Sequence, residues 1–162
     1  MKKFLKLEKG FGLIEILIVV GIMGIAFVAL VAFLINSSGI IFQITRNTEA
    51  VALAEEGVEG VRSLRDEGWA ANITTLTEGA TYYPVISVNK WTLTTTDPGT
   101  VNNLYTRTVV IEGVNRDIND DIAPVGTDDP NTKEVTVKVT WKEGQAVQDV
   151  TIVTYITNFL AN

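Results

Sequence analysis

The chain has 162 residues, a formal net charge of −6, no histidine and no cysteine. It therefore has no disulfide staple, and no thiol or imidazole to act as nucleophile, general base or zinc ligand. A zinc centre and a Ser-His-Asp triad are excluded, no basic patch invites nucleic acid, and the length suits one globular domain plus an anchor or tail.

The chain opens on a basic leader, with Lys2, Lys3, Lys6 and Lys9 against the single Glu8. From Ile16 to Ile35 every residue is apolar or glycine, ILIVVGIMGIAFVALVAFLI. Twenty residues rising about 1.5 Å each cover roughly 30 Å, the hydrocarbon thickness of a bilayer. The lysines before the run place the N-terminus in the cytoplasm and the remainder outside. The run is longer than the roughly 7 to 15 residues of a secretory signal core. No Ala-x-Ala cleavage site lies near its end, and Ser37-Ser38-Gly39 is a poor substitute.

Between Phe11 and Thr45 the only charged residue is Glu15. A carboxylate in a spanning segment costs about 2.5 to 3.5 kcal/mol at mid-helix and less near the interface, so it marks a functional residue that needs a partner. Cleavage between Gly10 and Phe11 would create that partner. The new α-amine on Phe11, four residues before Glu15, would titrate near about pH 8 and be cationic at neutral pH. It could neutralise Glu15 of its own chain, or of a neighbour in a staggered stack of parallel helices.

Lys9-Gly10-Phe11-Gly12-Leu13-Ile14-Glu15, followed by an unbroken apolar helix, resembles the class III signal of type IV pilins and pseudopilins. The resemblance implies cleavage by a prepilin peptidase after Gly10, methylation of the new N-terminal Phe11, and a role for Glu15 in subunit registry during assembly. Gly24 also falls where that family commonly has glycine. Ala32 stands where many pilins have proline, so the local helix melting linked with that proline is not implied. Gly21, Gly24 and Asn36-Ser37-Ser38-Gly39 remain as weak points, since glycine costs about 1 kcal/mol inside a helix. The implied partners are identical or homologous pilin subunits met through this helix, the prepilin peptidase, an inner-membrane assembly platform and membrane lipid. The implied locations are the cytoplasmic membrane for the precursor and a surface pilus or envelope pseudopilus after assembly. Cleavage would remove four lysines and one glutamate, taking the net charge from −6 to −9 and leaving an acidic, soluble head outside the cell.

The next segment, QITRNTEAVALAEEGVEGVRSLRDEGW, is amphipathic. Ala50, Ala54, Gly57, Val58, Val61 and Leu64 recur at three- and four-residue steps, with Glu49, Glu55, Glu56, Glu59, Arg62 and Asp66 mainly elsewhere. One helix over residues 11–67 is predicted, with Gly68 as its C-cap and Trp69 as the first packing residue beyond it. AEEGVEGVRSLRDEGW also resembles the corresponding part of minor-pilin-like proteins.

From residue 70 the period changes to two. Candidate strands are Tyr82 to Val88, Trp91 to Thr96, Leu104 to Glu112, the strictly alternating Val135 to Trp141, and Val147 to Thr157. The last two form a hairpin about Lys142-Glu143-Gly144-Gln145, and Pro84 points to an edge strand. Lys133 to Trp141 and the closing Tyr155-Ile156-Thr157-Asn158 resemble the tail of minor-pilin-like proteins. The expected fold is α+β, a long N-terminal helix packed on a C-terminal antiparallel sheet. Its expected parts are a leader over 1–10, a helix over 11–67 with its transmembrane part at about 11–36, and a β-rich head over 68–162.

Asp117, Asn119 and Asp121 have the D-x-N-x-D spacing of a calcium loop, with Asp128 in the place of the last ligand. Ile122 sits where an EF-hand needs glycine, the last ligand is Asp rather than Glu, and strands flank the loop. Both a calcium loop, as in some pseudopilins, and a solvated hairpin fit that pattern. No other cofactor is indicated, and no constellation meets the geometric roles of an enzyme. The alternative to a filament subunit is a membrane-anchored binding or adhesion module, or a tip-located minor pilin. Its contacts would be an exposed Trp91 or the 113–131 loop.

Overall fold

The computed structural model describes residues 12–160. They divide into two units at Thr45/Arg46, although one helix, α1 (Leu13–Glu67), contributes to both.

In the first unit α1 is apolar on every side and buries none of its residues. The helix runs unbroken through Gly21, Gly24 and Asn36-Ser37-Ser38-Gly39, so the expected weak points stay helical. The Ser38 hydroxyl donates to the Leu34 carbonyl at 2.9 Å and Thr45 to Ile41 at 2.9 Å. Bonding back one turn keeps these hydroxyls satisfied without a partner outside the helix.

In the second unit α1 changes character. Ala50, Leu53, Ala54, Gly57, Val58, Gly60, Val61 and Leu64 are buried, while Glu55, Glu56, Glu59, Arg62 and Asp66 are exposed. That is the predicted stripe, widened by Leu53 and Gly60. The helix ends at Glu67, where the Gly68 N–H is shared between the Leu64 and Arg65 carbonyls at 3.3 and 3.2 Å. Gly68 is extended rather than left-handed and leads directly into the short helix α2 (Trp69–Asn72). The Asn72 side chain donates to the Leu64 carbonyl at 3.0 Å, giving that acceptor a second, shorter bond beside the one from Gly68. Trp69 is buried, as its position after the cap predicts.

Six strands follow: β1 (Thr81–Ser87), β2 (Lys90–Thr94), β3 (Thr106–Arg116), β4 (Ile122–Ala123), β5 (Thr127–Glu143) and β6 (Ala146–Thr157). They form one antiparallel sheet in the order β2-β1-β3-β5-β6, with β4 paired to β3. The fold is α+β, as expected. The β5–β6 hairpin turns at Gly144, whose φ of 61° favours a residue without Cβ. The β1–β2 hairpin turns through Val88 and Asn89 at φ 51° and 62°. Asparagine tolerates such a conformation, whereas a β-branched residue rarely adopts it.

Strand alternation builds the core. Tyr105, Val109, Ile111, Val135, Val137, Val139, Trp141 and Ile156 are buried with the α1 stripe, Trp69 and Ile73. Each large aliphatic side chain moved from water to such a core contributes about 1.5 to 3 kcal/mol. One strand expectation needs correction. The edges are β2 and β6, and β1 lies between β2 and β3. Pro84 is tolerated there because β1 pairs with β3 only at Thr81 and Tyr82. Beyond that point β1 uses only its β2 side, so the missing N–H leaves no gap in a ladder.

Candidate functional site

Two features attract function: the apolar half of α1 with Glu15, and the acidic hairpin between β3 and β5. Glu15 is the third residue of α1, and its own N–H bonds the Gly12 carbonyl at 3.0 Å. A carboxylate in a first turn gains about 0.3 to 1 kcal/mol from the helix dipole, well below the cost of placing it inside a bilayer. Around Glu15, Leu13, Ile14, Ile16, Leu17 and Ile18 are all exposed, as are the large apolar residues onward to Ile44. The helix is long and apolar enough to cross a membrane. Gly10 and Phe11, the expected processing and methylation residues, lie outside the described residues.

Comparison with models of known protein families, with curated proteins and with solved structures gives no match. What the chain does must therefore be argued from its own residues.

The acidic hairpin is more structured than a loop. β3 continues to Arg116 after a bulge at Gly113/Val114 and pairs with β5 back to Thr127. The turn between them is organised by Asp117. Its carboxylate accepts the Asn119 N–H at 2.8 Å and the Asp121 N–H at 3.1 Å. These bonds hold the Asp117 carboxyl below its usual titration range. Arg116 binds Asp129 at 2.6 Å, the Asp120 carbonyl at 2.7 Å and the Thr132 hydroxyl at 3.2 Å. Hydrogen bonds from Thr132 and Arg116 lower the Asp129 carboxyl to about 2. Asp128 stands on β5 opposite Asn115, away from this network. Among the described residues no group of three or more acidic side chains is spaced to hold a metal ion. Asp117, Asn119, Asp121 and Asp128 share the hairpin, Asp117 to Asp121 in its turn and Asp128 on β5. Asp117 Oδ1 takes both turn N–H bonds, and Oδ2 meets only the Asn119 side-chain amide at 3.4 Å.

Trp91, expected as an exposed contact, is half-buried against the core. Its ring lies 5.3 Å from the Arg107 guanidinium carbon and closes over Gly60, where an added Cβ would come within 2.9 Å of it. Arg107 is the residue sequence reasoning missed. It is 7% exposed. One of its terminal nitrogens donates to the Leu53 carbonyl at 3.0 Å and to Glu56 at 2.9 Å. Strand parity was the available signal, because Tyr105, Arg107, Val109 and Ile111 share one face. A buried cation on that face requires an acid from the helix, and Glu56 supplies it.

A second polar cluster pins the start of the head helix. The Tyr105 hydroxyl donates to Glu49 at 2.9 Å, Asn102 donates to the same carboxylate at 2.7 Å, and Arg46 pairs with Glu143 at 3.2 Å. Burial and then the Glu49 hydrogen bond push the Tyr105 hydroxyl up to about 12, so it remains a donor at any physiological pH.

Proposed function

We propose that the chain is a structural subunit of a type IV pilus or related pseudopilus. It is made as a precursor in the cytoplasmic membrane, cut after Gly10 by a prepilin peptidase, methylated on Phe11, and packed into a filament through the apolar part of α1. The observation that carries this reading is the exposed, all-round apolar helix with one carboxylate, Glu15, in its first turn. Such a surface needs lipid or copies of itself as solvent, and such a carboxylate needs a cation. Neighbouring subunits supply both: apolar helices for the surface and the Phe11 amine for Glu15. The amphipathic continuation of α1 and the acidic β-sheet head suit a filament whose surface faces water.

Intact mass spectrometry of protein from cells with an active prepilin peptidase tests the reading. The expected mass lacks residues 1–10 and carries one added methyl. Recovery of the full-length chain alone overturns it.

The alternative reading is a membrane-anchored adhesion module or a tip-located minor pilin. The observation in its favour is the hairpin tip, where Ile118 on the Asp117 turn and Val125 beyond β4 are both exposed. Copy number along purified filaments separates the two readings.

A further inference from the structure

The two edges of the sheet are not alike. β2 is five residues long and starts at Lys90, which is bound to Glu67 at 3.1 Å. β6 is twelve residues long, pairs with β5 throughout without a register shift, and has no strand on its other side. Among the described residues no backbone hydrogen bond reaches that outer side. Soluble sheets normally blunt such an edge with lysine, proline, a bulge or a covering segment. β6 reads AVQDVTIVTYIT, with a single charge at Asp149 and no proline. A long, regular and unprotected row of N–H and C=O groups is a template for one more strand.

A groove of about 720 Å³ runs beside this edge, with Glu55, Glu56, Glu59 and Arg62 of α1 on one wall and Ile152 and Thr154 of β6 on the other. Three carboxylates thus face one guanidinium. Arg62 lies 3.5 Å from Glu59, and Glu56 is held by Arg107. We propose that the β6 edge takes an extended basic segment of another protein as an added strand. Its backbone pairs with β6, and every second side chain points toward α1, where a lysine or arginine stem lies over the groove and its head group meets Glu55 and Glu59.

A second copy of this chain fits less well. Two β6 edges paired about a twofold axis would put both α1 helices on one face of the joined sheet, acidic flank against acidic flank. Three of the chain's own strand lysines are already engaged, Lys90 with Glu67, Lys133 with Glu78 and Lys138 with Asp149. The inference concerns the head alone and does not depend on the filament reading.

The test uses the full chain in detergent micelles and a capped peptide of alternating lysine and valine, about ten residues long to match a strand. Peptide affinity and hydrogen exchange of the β6 amides are measured. Expected results are binding, protection of alternate β6 amides, and about tenfold weaker binding to the Glu55→Gln/Glu59→Gln variant. Both side chains are exposed, so the circular dichroism of that variant should match the parent. Four results overturn the proposal: no binding, undiminished binding to the double variant, equal binding of a glutamate–valine peptide, or equal binding of peptides N-methylated at alternate residues in either frame. Protection of β6 without any peptide, together with crosslinks between copies, also overturns it and assigns the edge to self-pairing.

Discussion

Residues 13–45 and 46–67 belong to one helix yet handle burial in opposite ways. The first stretch exposes leucine, isoleucine, valine and phenylalanine on all sides and buries none of its own residues. The second confines its apolar residues to one stripe and seals them against a sheet. Glycine shows the difference most clearly. Around Gly24 no atom lies within 4 Å of where a Cβ would stand, whereas at Gly57 that Cβ would meet Val137 at 2.8 Å and Arg107 at 3.1 Å. In the second stretch the fold itself uses the small residues. In the first, open space surrounds Gly21, Gly24 and Gly39.

The sharpest way to break the comparison is Glu15→Ala. On the proposed function this change abolishes filament assembly, because the registry carboxylate is gone, while membrane insertion and head stability are unchanged. Filament yield by electron microscopy, set beside the melting of the head in micelles, checks both halves. Filaments at parental yield would remove Glu15 from its role.

Next in size is Gly57→Val paired with Gly24→Val. Overpacking at Gly57 forces Val137 or the Arg107 stem aside and should cost about 3 kcal/mol in head stability. The same change at Gly24 should leave head melting where it is. Thermal unfolding of the full chain in micelles, followed by the sheet signal in circular dichroism, gives both numbers. A loss at Gly24 as large as that at Gly57 would show that the two stretches are not independent.

This contrast also explains how far the fold and sites could be read from sequence. The helix, its stripe and the β5–β6 hairpin were legible because period and composition are local properties, and Gly68, Gly144 and Trp69 sit where local chemistry puts them. The role of Pro84 was not, because it depends on β1 leaving β3 after Tyr82, a matter of long-range register. The Val88-Asn89 turn was hidden because valine is a poor marker of positive φ. At the sites, Glu15 stood out as a lone charge in an apolar run, and Gly10 and Phe11 lie outside the described residues. The acidic spacing was legible, but spacing does not show that Asp117 also organises its own turn. Arg107 was overlooked because a charged residue in a strand is read as solvent-facing until parity is followed through.

Glu56→Gln and Glu59→Gln separate two carboxylates one turn apart that look alike in sequence. Among the described residues Glu56 is the acid bonded to the buried Arg107, so its neutralisation leaves a cation in the core with a weaker acceptor and should cost about 2 kcal/mol. Glu59 meets Arg62 at 3.5 Å in solvent, and its loss should cost about 0.3 kcal/mol. Equal melting temperatures for the two variants would show that Arg107 does not need its counter-charge.

The smallest effect is at the hairpin and is read from pH. The Asp129 carboxyl lies at about 2 in the folded chain, against about 3.9 for an unperturbed aspartate. A depressed carboxylate contributes stability above its unfolded value and loses it as pH falls through the folded one. The contribution is therefore complete above about pH 5 and disappears between about pH 4 and pH 2. Water around Arg116 screens the pair, so about 1 kcal/mol is expected rather than the full value of the shift. Asp129→Asn should melt slightly lower than the parent at neutral pH and lose less on acidification, so that the two melting curves converge near pH 2. Parallel curves over that window would mean that Arg116 and Asp129 contribute nothing measurable to the folded state. The hairpin tip would then owe its order to the Asp117 turn alone.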